Sequence, residues 1–203
     1  MVETARLRLQ SPTRRDHLII AATASDPEAQ RWLGWTPRNI VAEEDRERYL
    51  TLPPGTDGTT WPAGWLHLIA IDKESGWAAG AAVVQLAEPV EIGGHLAPRF
   101  RGRGLGTELF AAVTEYAHQH LGFGVVKAGA EPENLSSRRA LGAAGFTRTS
   151  GPDTHTLPDG RMIPTVWFRH ESAEPGLCAA GKSTLRRARQ AAPVQTPVLS
   201  GPP

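Results

Sequence analysis

The sequence predicts a mixed α/β fold in one domain, and two patterns carry that prediction. Two apolar stretches, Trp65–Asp72 and Trp77–Leu86, flank a short turn, which is typical of a β-hairpin. Further along, a strand over Val90–Leu96, an amphipathic helix over about 104–121 and a strand over Val125–Ala130 form a β-α-β crossover. The length of 203 residues suits one domain with a full core rather than two.

The N-terminal quarter is predicted to begin with one strand and one helix. Thr4–Gln10 alternates apolar and polar residues, as a half-buried strand does. Ser11 and Pro12 then mark the start of a helix that runs to about residue 24. Residues 25–64 are less regular, and Val41–Leu50 is the helix that we expect within them.

Three tryptophans, Trp32, Trp35 and Trp61, fall in loops of this irregular segment. A tryptophan in such a place either anchors the core or forms one wall of a substrate site, and we favour the core. The sequence alone leaves both roles open.

The last part of the domain is predicted to be a helix followed by a hairpin. The helix spans Ser136–Ala144 and ends at Gly145. Phe146–Leu157 and Met162–His170 form the hairpin, whose turn contains Pro158-Asp159-Gly160.

Beyond this hairpin the sequence indicates a disordered tail. From Ser172 onward the composition shifts to Ala, Pro, Gly, Gln and Arg without an apolar period, so we expect residues 172–203 to be mostly disordered. Lys182–Arg189 could form a transient basic helix there. Residues 176–183 also match the G-x-x-x-x-G-K-S pattern of nucleotide-binding loops. Such a loop needs a magnesium-binding aspartate on a later strand, and none of the 20 residues after Ser183 is Asp or Glu, so we interpret the match as chance.

Composition narrows the classes of function. The formal net charge of +1 produces no general electrostatic attraction to nucleic acid. No apolar run approaches the ~20 residues that a membrane-spanning helix needs. A single cysteine, Cys178, fits a reducing compartment, and arginines interrupt the N-terminus where a signal peptide would be apolar. We therefore expect a soluble, cytoplasmic protein that binds neither nucleic acid nor membrane.

The residues that follow the strand over Val90–Leu96 point to an anion site. Arginines at positions 99, 101 and 103 flank glycines at 102, 104 and 106, and the long amphipathic helix starts there. Glycines let the backbone approach a ligand closely, and the free amides of a helix N-terminus bind anions. This pattern favours a phosphate-bearing ligand, the alternative being a glycine-rich surface loop with solvated arginines.

The same residues resemble a known family. Arg101-Gly102-Arg103-Gly104-Leu105-Gly106 is similar to the R/Q-x-x-G-x-G/A pyrophosphate motif of the GNAT superfamily of N-acetyltransferases. The strand over 90–98 before it, and Glu133–Ala140 followed by Gly145-Phe146 after it, resemble the family's flanking segments. Thr4–Leu9 resembles the opening strand of the RimJ/RimL-like branch. The resemblance covers about residues 3–171 and implies a GNAT domain over 1–171.

The resemblance implies that acetyl-CoA is the co-substrate and indicates where it binds. The amides of the turn would cradle the pyrophosphate, while the strand end would pair with the pantetheine arm and supply an amide to the oxyanion. The implied cofactor-binding residues are His95, Leu96, Ala97, Arg101, Gly102, Arg103, Gly104, Leu105, Gly106, Thr107 and Asn134. Asn134 also suits the N-cap of the helix over Ser136–Ala144, and the two roles are compatible.

For catalysis, the resemblance implies Ser137 as the acid that protonates the CoA thiolate, in the manner of RimL-like enzymes. The tyrosine that other branches use is absent, because no tyrosine follows Tyr116. The alternative for Ser137 is a hydroxyl that only caps the backbone of its helix.

The general base is less defined. Glu91 lies on the strand before the turn, where some family members carry a carboxylate, although it could equally be a charge on the solvent side of that strand. Glu43, Glu44 or a water molecule are alternatives. His95 could relay a proton, but a strand histidine is more often structural. The histidines do not cluster at metal-ligand spacing, so we predict no metal.

The function expected from all this is direct acetyl transfer from acetyl-CoA to a primary amine: a protein N-terminus, an amino acid, a polyamine-like metabolite or an antibiotic. The alternatives are a non-catalytic acyl-CoA sensor and, last, a nucleotide or nucleic-acid binder acting through its tail. Charged walls around the acceptor would indicate a polar metabolite or peptide, and tryptophans a more apolar acceptor. The sequence leaves the oligomeric state open, a homodimer included.

Overall fold

A computed structural model describes residues 1–55 and 64–190 of the chain. Its strands are β1 (Val2–Glu3), β2 (Leu7–Gln10), β3 (Trp65–Asp72), β4 (Ala78–Gln85), β5 (Glu91–Leu96), β6 (Val125–Ala130), β7 (Thr147–Thr149), β8 (Thr154–Thr156), β9 (Met162–Pro164) and β10 (Val166–Glu171). Its α-helices are α1 (Asp16–Thr23), α2 (Pro27–Leu33), α3 (Glu43–Leu50), α4 (Leu105–Glu115), α5 (Leu135–Ala143) and α6 (Ala179–Gln190). None of these helices is long and apolar enough to span a bilayer.

Eight strands form one mixed sheet in the order β1-β2-β3-β4-β5-β6-β10-β7, and β8 and β9 form a separate hairpin. All neighbouring strands of the large sheet are antiparallel except β5 and β6. These two are parallel, and the chain returns from the end of β5 to the start of β6 through α4, as a parallel pair requires. The predicted mixed α/β fold, its early hairpin and its β-α-β crossover are thereby confirmed.

Helices cover both faces of this sheet. Leu109 and Val113 of α4 are buried in the main core, where they lie with side chains such as Leu68 of β3. On the other face, Ile19 and Ile20 of α1 pack against apolar side chains of β3 and β4. Burying both faces stabilises the sheet, and it also gives β5 two different environments on its two sides.

Helix α2 has no counterpart among the elements predicted from the sequence. Asp26 is its N-cap, with a carboxylate oxygen accepting a hydrogen bond from the Ala29 amide at 3.1 Å, and Pro27 occupies the first turn. An Asp-Pro-Glu start of this kind is a recognisable helix signal, but the helix ends after seven residues at Gly34, in the left-handed region. So short a segment shows little apolar periodicity.

Within the segment expected to be mostly disordered, the structure places helix α6 at residues 179–190, which includes the stretch Lys182–Arg189 considered for a basic helix. Ala188 is 1 % exposed and its carbonyl accepts a hydrogen bond from the Gly64 amide at 3.1 Å. Leu185 packs against the main core, and the intervening arginines are exposed. Its less exposed positions Gly181, Leu185 and Ala188 recur at helical spacing, but two of them have small side chains or none. The apolar stripe is therefore weak in the sequence, and tertiary contacts stabilise the helix. Residues 191–203, and Trp61, lie outside the described residues.

Candidate active site

The site is built around the point where β5 and β6 part. Their parallel pairing is confined to Glu91 opposite Lys127, and the Lys127 amide donates to the Val90 carbonyl at 2.8 Å. No further β5–β6 pair follows among the described residues, and both strands line one opening together with residues of α4.

Alternation along β5 determines which backbone groups face this opening. The Ala97 amide donates to the Ala79 carbonyl of the β4 side at 2.8 Å, and His95 stands opposite Ala81 in the same ladder. Since amides alternate in direction along a strand, those of Gly94 and Leu96 point the other way, towards the opening. Among the described residues they have no β6 partner, so they can pair with an extended ligand as an added strand would.

The segment of residues 101–107, which we name the pyrophosphate turn after its expected ligand, brings the N-terminus of α4 to the opening. Gly102 and Gly104 have φ values of +71° and +77°, a region that side chains with a Cβ adopt at a cost. Gly104 is the N-cap of α4 and offers no side chain to the first amides of the helix. Those amides and the helix dipole are therefore available to an anion. Gly106 serves packing as well, because a Cβ there would lie 3.5 Å from that of Ala140 in α5.

The side chain of Arg101 forms an ion-pair network within the protein. Its guanidinium binds both carboxylate oxygens of Asp26, at 2.8 and 2.6 Å, and one of Glu28 at 3.0 Å. Its Nε donates to the Leu96 carbonyl at 2.9 Å. Burial opposes ionisation of Asp26, but the hydrogen bonds from Arg101 and Ala29 outweigh it and hold the pKa of this carboxyl below its usual value. Arg101 thus joins the end of β5 to the start of α2.

Other cations surround the pyrophosphate turn. The Arg6 guanidinium donates to the Arg103 carbonyl at 2.8 Å and forms an ion pair with Glu108 at 2.9 Å. One of its nitrogens lies 3.5 Å from the place that a Cβ on Gly104 would take. Arg103 is exposed, with its guanidinium 5.8 Å from the centre of the Phe100 ring. Arg6 was not among the residues predicted for this site, because it precedes the pyrophosphate turn by almost a hundred residues in sequence. It lies directly before β2, near the edge of the sheet.

Asn134 and Ser137 lie on the opposite side of the opening, at the start of α5. The Asn134 side-chain oxygen accepts a hydrogen bond from the Ser137 amide at 3.0 Å, which makes Asn134 the N-cap of this helix. Both residues line the same cavity as the pyrophosphate turn. Among the described residues the Ser137 hydroxyl has no hydrogen-bond partner, so it is available to a bound molecule.

Glu91, the first residue of β5, is one of three glutamates that line this cavity. It is half-buried, and this burial raises its pKa, while the positive charges of His155 and Lys127 act in the opposite direction. Glu43 and Glu44 are exposed in the first turn of α3 and do not line the cavity.

His95 is held on the same face of β5 as Glu91. Its Nε2 lies 2.8 Å from the Thr23 hydroxyl, and its ring meets the Trp35 ring edge-on at 5.3 Å between centroids. Burial lowers the pKa of His95 to about 4, and the nearby Arg101 charge acts in the same direction. The imidazole is therefore neutral at physiological pH, and its contacts favour the structural role.

One cavity of about 820 Å³ connects these groups. It extends from the pyrophosphate turn, past Glu91, to an apolar region that we name the acceptor wall. This wall consists of Trp32, Leu33, Trp65, Val83, Leu157, Ile163 and Trp167. Trp32, for which we favoured a place in the core, is instead half-buried and lines the cavity. Trp35 is half-buried against a cluster of core residues. Within residues 1–55 and 64–190, no group of three His, Cys, Asp or Glu side chains could hold a metal ion.

Comparison with known proteins gives a consistent result. The family described as "Acetyltransferase (GNAT) domain" matches residues 6–147. No curated protein sequence matches the chain significantly.

Several solved structures share the fold. A GCN5-related N-acetyltransferase from Brucella melitensis is 25% identical with a TM-score of 0.61, over 93% of this chain and 81% of that one. Aminoglycoside acetyltransferase AAC(6')-Ib, solved with coenzyme A, is 22% identical with a TM-score of 0.60, over 89% and 99%. Spermidine N-acetyltransferase from Vibrio cholerae, solved with CoA and spermine, is 13% identical with a TM-score of 0.62, over 84% and 98%.

Proposed function

This chain belongs to the GNAT acetyltransferase family, and from that premise we propose that its cavity transfers an acetyl group from acetyl-CoA directly to a primary amine. It is an acetyl-CoA-dependent N-acetyltransferase by family. The observation that carries the proposal is that one cavity joins the anion-binding end of α4, the unpaired amides of β5 and a half-buried carboxylate, Glu91.

The thioester substrate fits the residues on the cofactor side. Acetyl-CoA supplies an activated acetyl group together with a pyrophosphate and an extended arm. The pyrophosphate turn offers backbone amides and nearby cations to the phosphates. Its glycines have positive φ values, and the space beside Gly102 is open, so a phosphate can approach the backbone closely. The Gly94 and Leu96 amides suit the arm, and the Leu96 amide is the donor that we assign to the developing oxyanion.

Two side chains are assigned to proton transfer. An amine is protonated at neutral pH, and Glu91, directly or through water, would accept that proton so that the nitrogen can attack the thioester carbon. A carboxylate whose pKa is raised by burial is a better base than a solvated one. The attacking nitrogen loses a second proton, to water, as the tetrahedral intermediate forms and collapses. As the C–S bond breaks, the thiolate would take a proton from the Ser137 hydroxyl, and water returns a proton to the serine oxygen.

The class of acceptor is supported by what similar structures bind. AAC(6')-Ib has been solved with ribostamycin and the Vibrio cholerae spermidine N-acetyltransferase with spermine, and both ligands are amines. We extend only this class, a primary amine, to the present chain. We also propose that the chain belongs to the RimJ/RimL-like branch, because Thr4–Leu9 resembles the opening strand of that branch.

The test is amine-dependent release of the CoA thiol, measured together with the N-acetylated product by mass spectrometry. We expect both products in equal amounts with at least one primary amine of a broad panel. Tight CoA binding in calorimetry without turnover of any amine would contradict the proposal and favour the sensor.

A further inference from the structure

The acceptor wall offers aromatic and aliphatic surface, with Gln85, His155 and Thr165 as its uncharged or weakly basic polar neighbours in the cavity lining. Trp167 is 6 % exposed and its Nε1–H already donates to the Pro152 carbonyl at 2.7 Å. Its ring lies 3.3 Å from the place of a Cβ on Gly129, so the ring is fixed against β6. Trp167 therefore presents carbon surface to the cavity rather than a free hydrogen-bond donor.

Two further tryptophans extend this surface on other elements. Trp65, at the start of β3, is 39 % exposed although it lies on the sheet. The Arg31 guanidinium lies 4.4 Å from the centre of the Trp32 ring and is itself paired with Glu133 at 2.7 Å. The cation that contacts Trp32 is thus already neutralised, and it does not make the wall a site for anions.

The cavity holds few carboxylates for a polycation. Its described lining contains three glutamates, of which Glu28 is paired with Arg101 at 3.0 Å. Glu91 is the assigned base and lies opposite Lys127 in the β5–β6 pair, so a positive charge is already beside it. Only Glu131 is then left for any second ammonium group, and a buried charge without a partner is costly.

From this arrangement we infer that the acceptor is a monoamine with an apolar, preferably aromatic, body rather than a polyamine or an aminoglycoside. The inference rests on the proposed function and specifies its substrate. The amine would meet Glu91, and the hydrocarbon body would displace water from the acceptor wall.

Matched amines test the charge and the apolar body separately. Hexylamine and 1,6-diaminohexane have the same chain length and differ in one terminal ammonium, while 2-phenylethylamine adds a ring. We expect kcat/KM for hexylamine to exceed that of the diamine by about tenfold or more, with 2-phenylethylamine at least equal to hexylamine. Spermidine and kanamycin are expected to be poorer than either monoamine.

Two tryptophan variants test the place of binding. Trp65→Ala removes part of the acceptor wall, whereas Trp77→Ala removes a similarly exposed ring (36 %) at the other end of the same hairpin. Trp65→Ala should raise KM for 2-phenylethylamine about tenfold without weakening CoA binding. Trp77→Ala should leave this KM unchanged. A diamine, polyamine or aminoglycoside used as well as the monoamines would overturn the inference while leaving acetyl transfer intact.

Binding measurements separate this inference from the proposed function. If the CoA-loaded protein binds 2-phenylethylamine in preference to the diamine, but no thiol is released when acetyl-CoA replaces CoA, the acceptor class stands and the acetyltransferase activity fails. If it binds neither monoamine in calorimetry, the inference is wrong.

Discussion

Replacing Arg101 with alanine should destabilise the protein through α2. The change leaves the Asp26 carboxylate, whose side chain is 9 % exposed, without the guanidinium that binds both of its oxygens. Breaking a fully buried ion pair costs about 3–5 kcal/mol; because Arg101 is itself 25 % exposed, we expect about 2–3 kcal/mol. For a domain of this size that corresponds to a fall in Tm of roughly 5–10 °C, measurable by thermal unfolding.

The same variant should separate the two halves of the cavity. Trp32 and Leu33 of α2 belong to the acceptor wall, so a loosened α2 should raise KM for the amine several-fold. The amides and the positive φ glycines of the pyrophosphate turn are unchanged, and CoA affinity in calorimetry should stay within about twofold. The pH dependence has a defined sign: because the pKa of Asp26 is lowered in the folded state, the stabilisation is present above about pH 4 and is lost as pH falls further.

The chain offers a matched control two residues away. Arg99 pairs with Glu47, which is 73 % exposed, so Arg99→Ala should change the free energy of unfolding by less than about 1 kcal/mol. Asp26→Asn in the Arg101→Ala background should restore part of the lost stability, because it removes the unpaired charge and keeps an oxygen for the Ala29 amide. A large loss of CoA affinity in Arg101→Ala at unchanged Tm would refute this reasoning and return the guanidinium to the phosphates.

Two further variants probe the cofactor side and the proposed acid. Gly104→Asp places a carboxylate at the N-terminus of α4 and should weaken CoA binding about a hundredfold or more in calorimetry; Gly76→Asp, with a similar φ of +74° in the β3–β4 turn, is the control for backbone strain. Equal affinities in the two variants would exclude the anion site. Ser137→Ala should lower kcat roughly 10- to 1000-fold with CoA affinity little changed, whereas a purely structural hydroxyl would leave kcat intact. Asn134→Ala, which removes the N-cap of α5, should instead cost about 1 kcal/mol of stability.

The backbone geometry on the proposed cofactor side could be predicted from the sequence because its signals are local. The strand, the glycines at 102, 104 and 106 and the start of α4 are contiguous, and each residue's role follows from backbone geometry within one turn. Asn134 was likewise assignable to an N-cap because its partner amide is only three residues away. The fold class followed from the same short-range patterns.

What could not be predicted depends on distant partners. Arg101 contacts a carboxylate 75 residues earlier, so its motif position gave no sign that the guanidinium is neutralised. Helix α6 likewise depends on Ala188 and Leu185 meeting the rest of the domain. The acceptor wall combines side chains from α2, β3, β4, β10 and the small hairpin, and no single stretch of sequence reveals that these residues face one cavity.

The central claim is direct transfer to an amine with Glu91 as base, and its pH profile tests this most directly. We predict that thiol release from acetyl-CoA needs an amine, and that kcat/KM falls on the acidic side of a pKa above the usual value of glutamate, since burial raises that of Glu91. Glu91→Gln should lower the rate roughly 100- to 10,000-fold and remove this acidic limb, with CoA affinity unchanged. Rapid thiol release without amine, accompanied by acetylated protein, or an unchanged acidic limb in Glu91→Gln, would contradict the account.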